Sequence, residues 1–260
     1  MVIVRPTLDI QYYLDGFLKQ NLDALKQTIK KDYDAFLIIS GDERIGKSTF
    51  GAQIAKYLDP SYNLDRCCFT AEQFLYAVEA AQKYQAVVFD EAYGYLSSRG
   101  ALSRFNRTLI KVMTEMGSKN LFVIIILPNF FELDRYPAIH RSVGLLRVYR
   151  RGKFALYDKV RKKKLYLVGK KFYEYRGASP NFIGSFTSYF PFNKEYYEEK
   201  KRKSVLPTKD LMENLRENKQ MIQRNKLMKW IKENTNLNNE QIGEIIGVTA
   251  STVTDSLRKV

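Results

Sequence analysis

Three uninterrupted apolar runs mark the first part of the chain: Ala35 to Ser40, Ala86 to Phe89 and Leu121 to Leu127. Short runs without polar alternation predict strands covered on both faces, as in a parallel α/β sheet. The first run is followed by a helical stretch, Thr49 to Leu58. Arg66 to Phe69 predicts a short strand, and Thr70 with Gln73 fits the capping box of a helix running through Leu75. Beyond residue 147 the pattern changes. Phe154, Leu156 and Tyr157, then Leu165, Tyr166, Leu167 and Val168, are interleaved with basic residues and broken at Gly152, Asp158 and Gly169. This predicts short β-hairpins with basic turns. From Asn193 the chain turns helical and charged. After Pro207-Thr208, the stripe of Leu211, Leu215, Met221, Ile222, Leu227 and Ile231 predicts an amphipathic helix to about Glu233. At the end, Ile242, Ile246, Val248, Val253 and Leu257 predict a small core between two helices, with Gly247 at the turn, Gly243 at the close approach and Thr249 as cap.

Composition supports a folded chain with an appendage: 260 residues, 45% of them hydrophobic, can bury a full core. The 121–127 run is too short to span a bilayer and the first residues do not resemble a signal peptide, so no membrane partner is expected. Adjacent Cys67 and Cys68 have neither zinc spacing nor the separation to staple a fold, which points to a reducing, cytoplasmic setting. His140 is the only histidine, which excludes His-rich metal sites.

The net charge of +15 is concentrated. Residues 1–146 hold 17 Lys/Arg against 16 Asp/Glu, whereas 147–193 hold 12 against 2 and 194–237 hold 12 against 7. A segment so poor in acids predicts nucleic-acid binding through phosphate contacts, with Lys162, Lys163 and Lys164 as its densest cluster. The aromatic residues between Phe172 and Tyr197 are expected to pack back on the core.

The strongest chemical signal is Gly41-Asp42-Glu43-Arg44-Ile45-Gly46-Lys47-Ser48, which fits the phosphate-loop pattern G-x-x-x-x-G-K-[ST] between a predicted strand and a predicted helix. The glycines let successive N–H groups face phosphate oxygens, and the helix N-terminus, from Thr49, adds partial positive charge. Lys47 is expected on the β- and γ-phosphates and Ser48 on Mg²⁺. The strand 86–89 then delivers Asp90 and Glu91, with Asp90 expected to hold the metal through water and Glu91 to act as general base.

Over residues 30 to 150 the chain resembles P-loop ATPases with an extra catalytic strand, the group holding RecA-like and AAA+ motors, and it is loosely similar to zonular occludens toxin-type and FtsK/HerA-type DNA motors. The resemblance implies that strand 121–127 lies between the loop strand and the Asp-Glu strand and that Asn129 senses the γ-phosphate; Asn129 alternatively begins a turn after Pro128. It also implies an arginine finger acting across a ring: Arg141 first, Arg135 second, with Arg99, Arg104 and Arg107 as alternatives. Asn193-Lys194-Glu195-Tyr196 misses the guanine-reading pattern at its last position, so ATP with Mg²⁺ is the expected cofactor pair.

The last segment resembles a helix-turn-helix that would present Ser251, Thr252 and Arg258 to DNA, or dock a protein. The expected organisation is an α/β parallel-sheet P-loop core (1–150), a basic β-hairpin and aromatic extension (151–192), a charged helical linker (193–234) and a helix-turn-helix (235–260). The expected function is a DNA-binding ATPase motor of a virus, plasmid or other mobile element, forming a homo-oligomeric ring in the host cytoplasm. A partner protein of the same element is a further expectation. The basic segment is too short and too poor in carboxylates for a metal nuclease. An ATP-switched loader for replication or transposition, and a nucleotide-gated regulator, are the alternatives.

Overall fold

Strands that are apolar on both sides need cover on both sides, and the chain supplies it from two sets of helices. The computed structural model describes residues 2–90, 99–204, 223–235 and 237–258. These fall into two compact units, Met1–Ser204 and Val205–Val260.

The first unit is built on a seven-stranded sheet, with strands β3 (Ala35–Ser40), β4 (Cys67–Cys68), β5 (Ala86–Phe89), β6 (Phe122–Leu127), β7 (Gly144–Arg150), β8 (Lys153–Asp158) and β9 (Phe182–Ser185). Their spatial order is β4-β5-β6-β3-β7-β8-β9. The first five in that order are parallel, and β8 and β9 add antiparallel at one edge. Strand β6 thus lies between β5 and β3. A separate antiparallel pair, β1 (Val2–Thr7) and β2 (Ile10–Leu14), packs beside the sheet.

Residue parity sorts the core. Ala35, Leu37 and Ile39 of β3 face helices α1 (Gly16–Ile29) and α2 (Lys47–Leu58). Phe36 and Ile38 face α3 (Ala71–Ala80), α4 (Arg99–Ser118) and α5 (Lys159–Gly169). The same alternation runs through β5 and β6, so a one-residue slip would exchange the two helix layers. Local signals set several helix starts: Asp15 caps α1, Thr70 caps α3 and Asp158 caps α5, each accepting from a backbone N–H in the first turn. Each such cap is worth about 1 kcal/mol. Among the described residues no helix is long and apolar enough to cross a membrane.

Two expectations change. Only the first basic hairpin, β7–β8 with its turn at Arg151-Gly152, is extended; residues 159–169 form α5 instead. The Asp158 cap starts a helix whose buried positions Lys162, Leu165, Tyr166 and Gly169 recur at three- and four-residue spacing. The proposed extension is also no separate body. Strands β8 and β9, the strap 186–192 and helix α6 (Lys194–Ser204) belong to the first unit, because their aromatic residues Phe154, Phe182, Phe186, Phe190, Phe192 and Tyr197 complete the core over α2. Phe182, Phe186, Phe190, Phe192 and Tyr197 thus pack back on the core as expected, whereas Phe172, Tyr173, Tyr189 and Tyr196 are exposed.

The second unit contains a helix α7 over 223–234, α8 (Asn239–Ile246) and α9 (Ala250–Arg258). Met228, Ile231, Ile242 and Val253 form its buried core, with Leu237, Ile246, Val248 and Leu257 against it. Leu227, expected in the apolar stripe, is exposed; the neighbouring Met228 points inward. The remaining stripe residues, Leu211, Leu215, Met221 and Ile222, lie outside the described residues. A capping box between Asn238 and Gln241 opens α8, and Gly247, in the left-handed region at φ 74°, closes it. A side chain on Gly243 would stand 2.5 Å from the Val248 carbonyl oxygen, which explains glycine at that close approach.

Candidate functional site

The loop 41–46 leaves the C-terminal end of β3 and enters α2, which begins at Lys47, two residues earlier than expected. Gly41 donates its N–H to the Pro128 carbonyl, and a Cβ there would lie 2.1 Å from the Val148 oxygen. Only glycine fits between the ends of β6 and β7. Gly46, at φ 99°, turns the chain into α2 as its N-cap. The first-turn amides of a helix have no partner within it, and the macrodipole makes that end attractive to anions. The Lys47 ammonium donates to the Asp42 carbonyl, folding back over the loop, while Asp42, Glu43 and Arg44 are exposed and Ile45, Ser48 and Thr49 half-buried. The β7–β8 turn braces the loop, with Arg151 donating to the Arg44 carbonyl at 3.0 Å.

Asp90 follows β5 at the same edge and is 2% exposed. Its Oδ2 accepts a hydrogen bond of 2.6 Å from the Tyr197 hydroxyl of α6. Burial, and then the charge of Asp90, hold the Tyr197 hydroxyl far above the usual phenol range, so it stays a donor to the carboxylate. The nearby Ser48 hydroxyl has only a small, downward influence on this phenol's pKa. Ser48, in the first turn of α2, and the Asp90 carboxylate, at the end of β5, thus lie at the same sheet edge. A hydroxyl and a carboxylate so placed fit Mg²⁺, a hard cation that takes few protein oxygens and completes its shell with water and phosphate. Among the described residues no cluster of three His, Cys, Asp or Glu occurs. Glu91 lies outside the described residues.

Asn129 reaches the same edge, but its Oδ1 accepts from the Phe131 N–H at 3.0 Å and opens the turn Phe130–Glu132. That is the local-turn alternative; a γ-phosphate contact would have to use the amide group's other end.

Arg141 is placed differently from expectation. Its guanidinium forks onto both Asp34 oxygens and donates to the Met113 carbonyl at 3.1 Å. Asp34 precedes β3, so this pair sits at the sheet edge opposite the loop. Because β7 runs parallel to β3, the residues leading into β7 must return to the edge where β3 begins. Arg141 is thus an internal clamp rather than a finger. Arg135 is exposed at the start of the π-helical turn Tyr136–Arg141, and Arg107 is exposed on α4; the side chains of Arg99 and Arg104 lie outside the described residues.

Lys162 also leaves the expected set. It is buried in α5, and its ammonium donates to the carbonyls of Ala138 and Ile139 at 2.5 and 3.2 Å. It cannot reach a phosphate. Lys163 and Lys164 are exposed, as are Arg150, Arg151, Lys153, Lys159, Arg161, Lys171 and Arg176, so the basic surface survives the change of element. On α9, Ser251 is exposed and Thr252 half-buried, the Thr249 hydroxyl accepting from the Thr252 N–H; the side chain of Arg258 lies outside the described residues.

Three residues at the edge were missed as site residues. Besides Tyr197, Tyr175 is hydrogen-bonded to Ser40 at 3.1 Å and accepts from the Phe130 N–H, while the Arg147 guanidinium lies 3.8 Å from the Tyr175 ring centroid. In sequence they appeared only among the aromatic and basic residues of the tail. Their signal was position in β7, in the turn Tyr175–Gly177 and in α6, which required the strand order. No known protein family matches the chain, and no curated protein matches its sequence. The site therefore rests on its own residues.

Proposed function

We propose that the first unit binds and hydrolyses ATP with Mg²⁺, and that the chain is a DNA-handling ATPase of a virus, plasmid or other mobile element. One observation carries the nucleotide reading: at the edge where the glycine loop enters α2 with Ser48 in its first turn, β5 delivers the buried carboxylate of Asp90. Loop amides and Lys47 would hold the phosphates, and Ser48 and Asp90 the metal, whose charge would offset that building on the transferred phosphoryl group. Glu91, next to Asp90, is the base assigned to the attacking water. Arg135 or Arg107 takes the role of trans-acting cation in a ring of identical subunits.

DNA affinity is assigned to the exposed basic residues of β7, β8 and α5, Lys163 and Lys164 among them. The α8–Gly247–α9 pair is read as a helix-turn-helix presenting Ser251, Thr252 and Arg258. A second reading, a nucleotide-switched loader or regulator, is favoured by one feature: α6, which contacts Asp90 through Tyr197, leads directly into the chain of the second unit.

The test separates binding from turnover. Lys47→Ala should lose ATP binding, whereas Glu91→Gln should keep it and stop hydrolysis. Fluorescent-nucleotide titration and phosphate release, measured separately, decide this. Equal loss of both in Glu91→Gln would remove its role as base, and ATP binding unaffected by Lys47→Ala would remove the nucleotide site.

A further inference from the structure

Helix α6 buries a single residue, Tyr197, although five of its eleven residues are Lys or Arg and three are Glu. That residue is aimed at the site. Its ring packs edge-on against Phe69 and Phe190, with centroids 5.4 and 5.0 Å away, and its hydroxyl donates to Asp90 at 2.6 Å. The rest of α6 is fastened by backbone acceptors. Lys200 donates to the Leu64 and Cys67 carbonyls, and Ser204 accepts from Gln73. The strap before α6 is tied to α2, where Gln53 donates to the Thr187 and Tyr189 carbonyls.

The phenol hydroxyl and a magnesium ion need the same place. Mg²⁺ requires oxygens at about 2.1 Å in octahedral array and keeps several waters. A carboxylate that has to accept from one of the ion's waters has its Oδ2 already taken by the phenol hydroxyl, 2.6 Å away. The phenol also brings a ring that is clamped between Phe69 and Phe190 and cannot withdraw without moving the helix. We propose that Tyr197 is a gate on the metal position: α6 is docked when the site lacks metal–nucleotide, and Mg²⁺–nucleotide displaces the tyrosine and releases α6. This rests on the reading of Ser48 and Asp90 as metal residues. A ligand that binds only the undocked state shifts the equilibrium by its differential affinity, so the chain joining the two units would feel whether the site is loaded.

The test uses the full chain, fluorescent ADP with and without Mg²⁺, and Tyr197→Phe, which keeps the ring contacts and removes the hydroxyl. The hydrogen bond to Asp90 no longer needs to be broken, so Mg²⁺–ADP should bind about tenfold tighter to the variant. ADP in chelator should bind both proteins alike. In wild type, Mg²⁺–ADP but not ADP alone should speed amide hydrogen exchange across residues 194–204, a readout independent of the substitution. The gate is overturned if Tyr197→Phe binds Mg²⁺–ADP equally or more weakly, or if α6 in the wild-type complex stays as protected as before. The latter results, with Lys47-dependent ADP binding intact, leave the nucleotide site standing. Loss of ADP binding in wild type itself would instead remove the site on which the gate depends.

Discussion

Replacing Lys162 tests the interior of the first unit at its most unusual charge. Lys162 is 0% exposed, and burial, with a smaller contribution from nearby Lys159, lowers its pKa from 10.5 to about 8. The folded chain therefore releases this proton earlier than the unfolded chain as pH rises. Between about pH 8 and 10.5 the unfolded state binds more protons, and stability must increase with pH across that window. Below it the ammonium is charged in both states, and the fold carries a penalty of about 3 kcal/mol, at roughly 1.4 kcal/mol per unit. Lys162→Met removes this titration while keeping an unbranched apolar stem. It also takes a donor from the Ala138 and Ile139 carbonyls, although Ala138 still accepts from the Ser142 hydroxyl at 3.0 Å. Losing such a donor costs about 1–3 kcal/mol. Near about pH 7 the two effects nearly offset, and wild type and variant should agree within about 2 kcal/mol. By about pH 9.5 wild type should have gained roughly 2 kcal/mol on the variant. Urea unfolding followed by near-ultraviolet circular dichroism reads the first unit, since all 18 tyrosines precede Ser204 and the lone Trp230 is exposed. Parallel pH curves for the two proteins would refute the buried, weakened ammonium.

Two further outcomes follow from the corrected placements. Arg141→Ala strips the buried Asp34 of its partner and should cost about 2–4 kcal/mol in urea unfolding, whereas exposed Arg135→Ala should stay within about 0.5 kcal/mol; equal stabilities would contradict the clamp. If the basic surface binds DNA, Lys163→Gln with Lys164→Gln should reduce the log–log salt slope by up to about 2 and Lys162→Gln should leave it unchanged; a flattened slope from Lys162→Gln would show that it reaches phosphate.

What the chain revealed unaided was chemistry confined to a short window. Strands β3, β5 and β6 were legible because a strand buried on both faces has to be apolar at every position. The glycine loop was legible because a tight turn into a helix places its demands on adjacent residues. Residues 159–169 were not, because interleaved basic and apolar residues over so short a stretch suit either period, and a lysine in a core position looks like surface. Only the carbonyls of Ala138 and Ile139, more than twenty residues away, make that position habitable for Lys162.

Arg141 was misplaced for a topological reason. Following β6 in sequence says nothing about the sheet edge until β7 is known to run parallel to β3. Tyr197 is 107 residues from Asp90, and no local pattern connects them. The sequence by itself marked the residues proposed to carry phosphate and metal chemistry, since loop geometry and strand ends are local. The tertiary structure alone decided which cations are spent inside the fold and which side chain stands over the metal residues, because those follow from strand order and from what packs across the sheet.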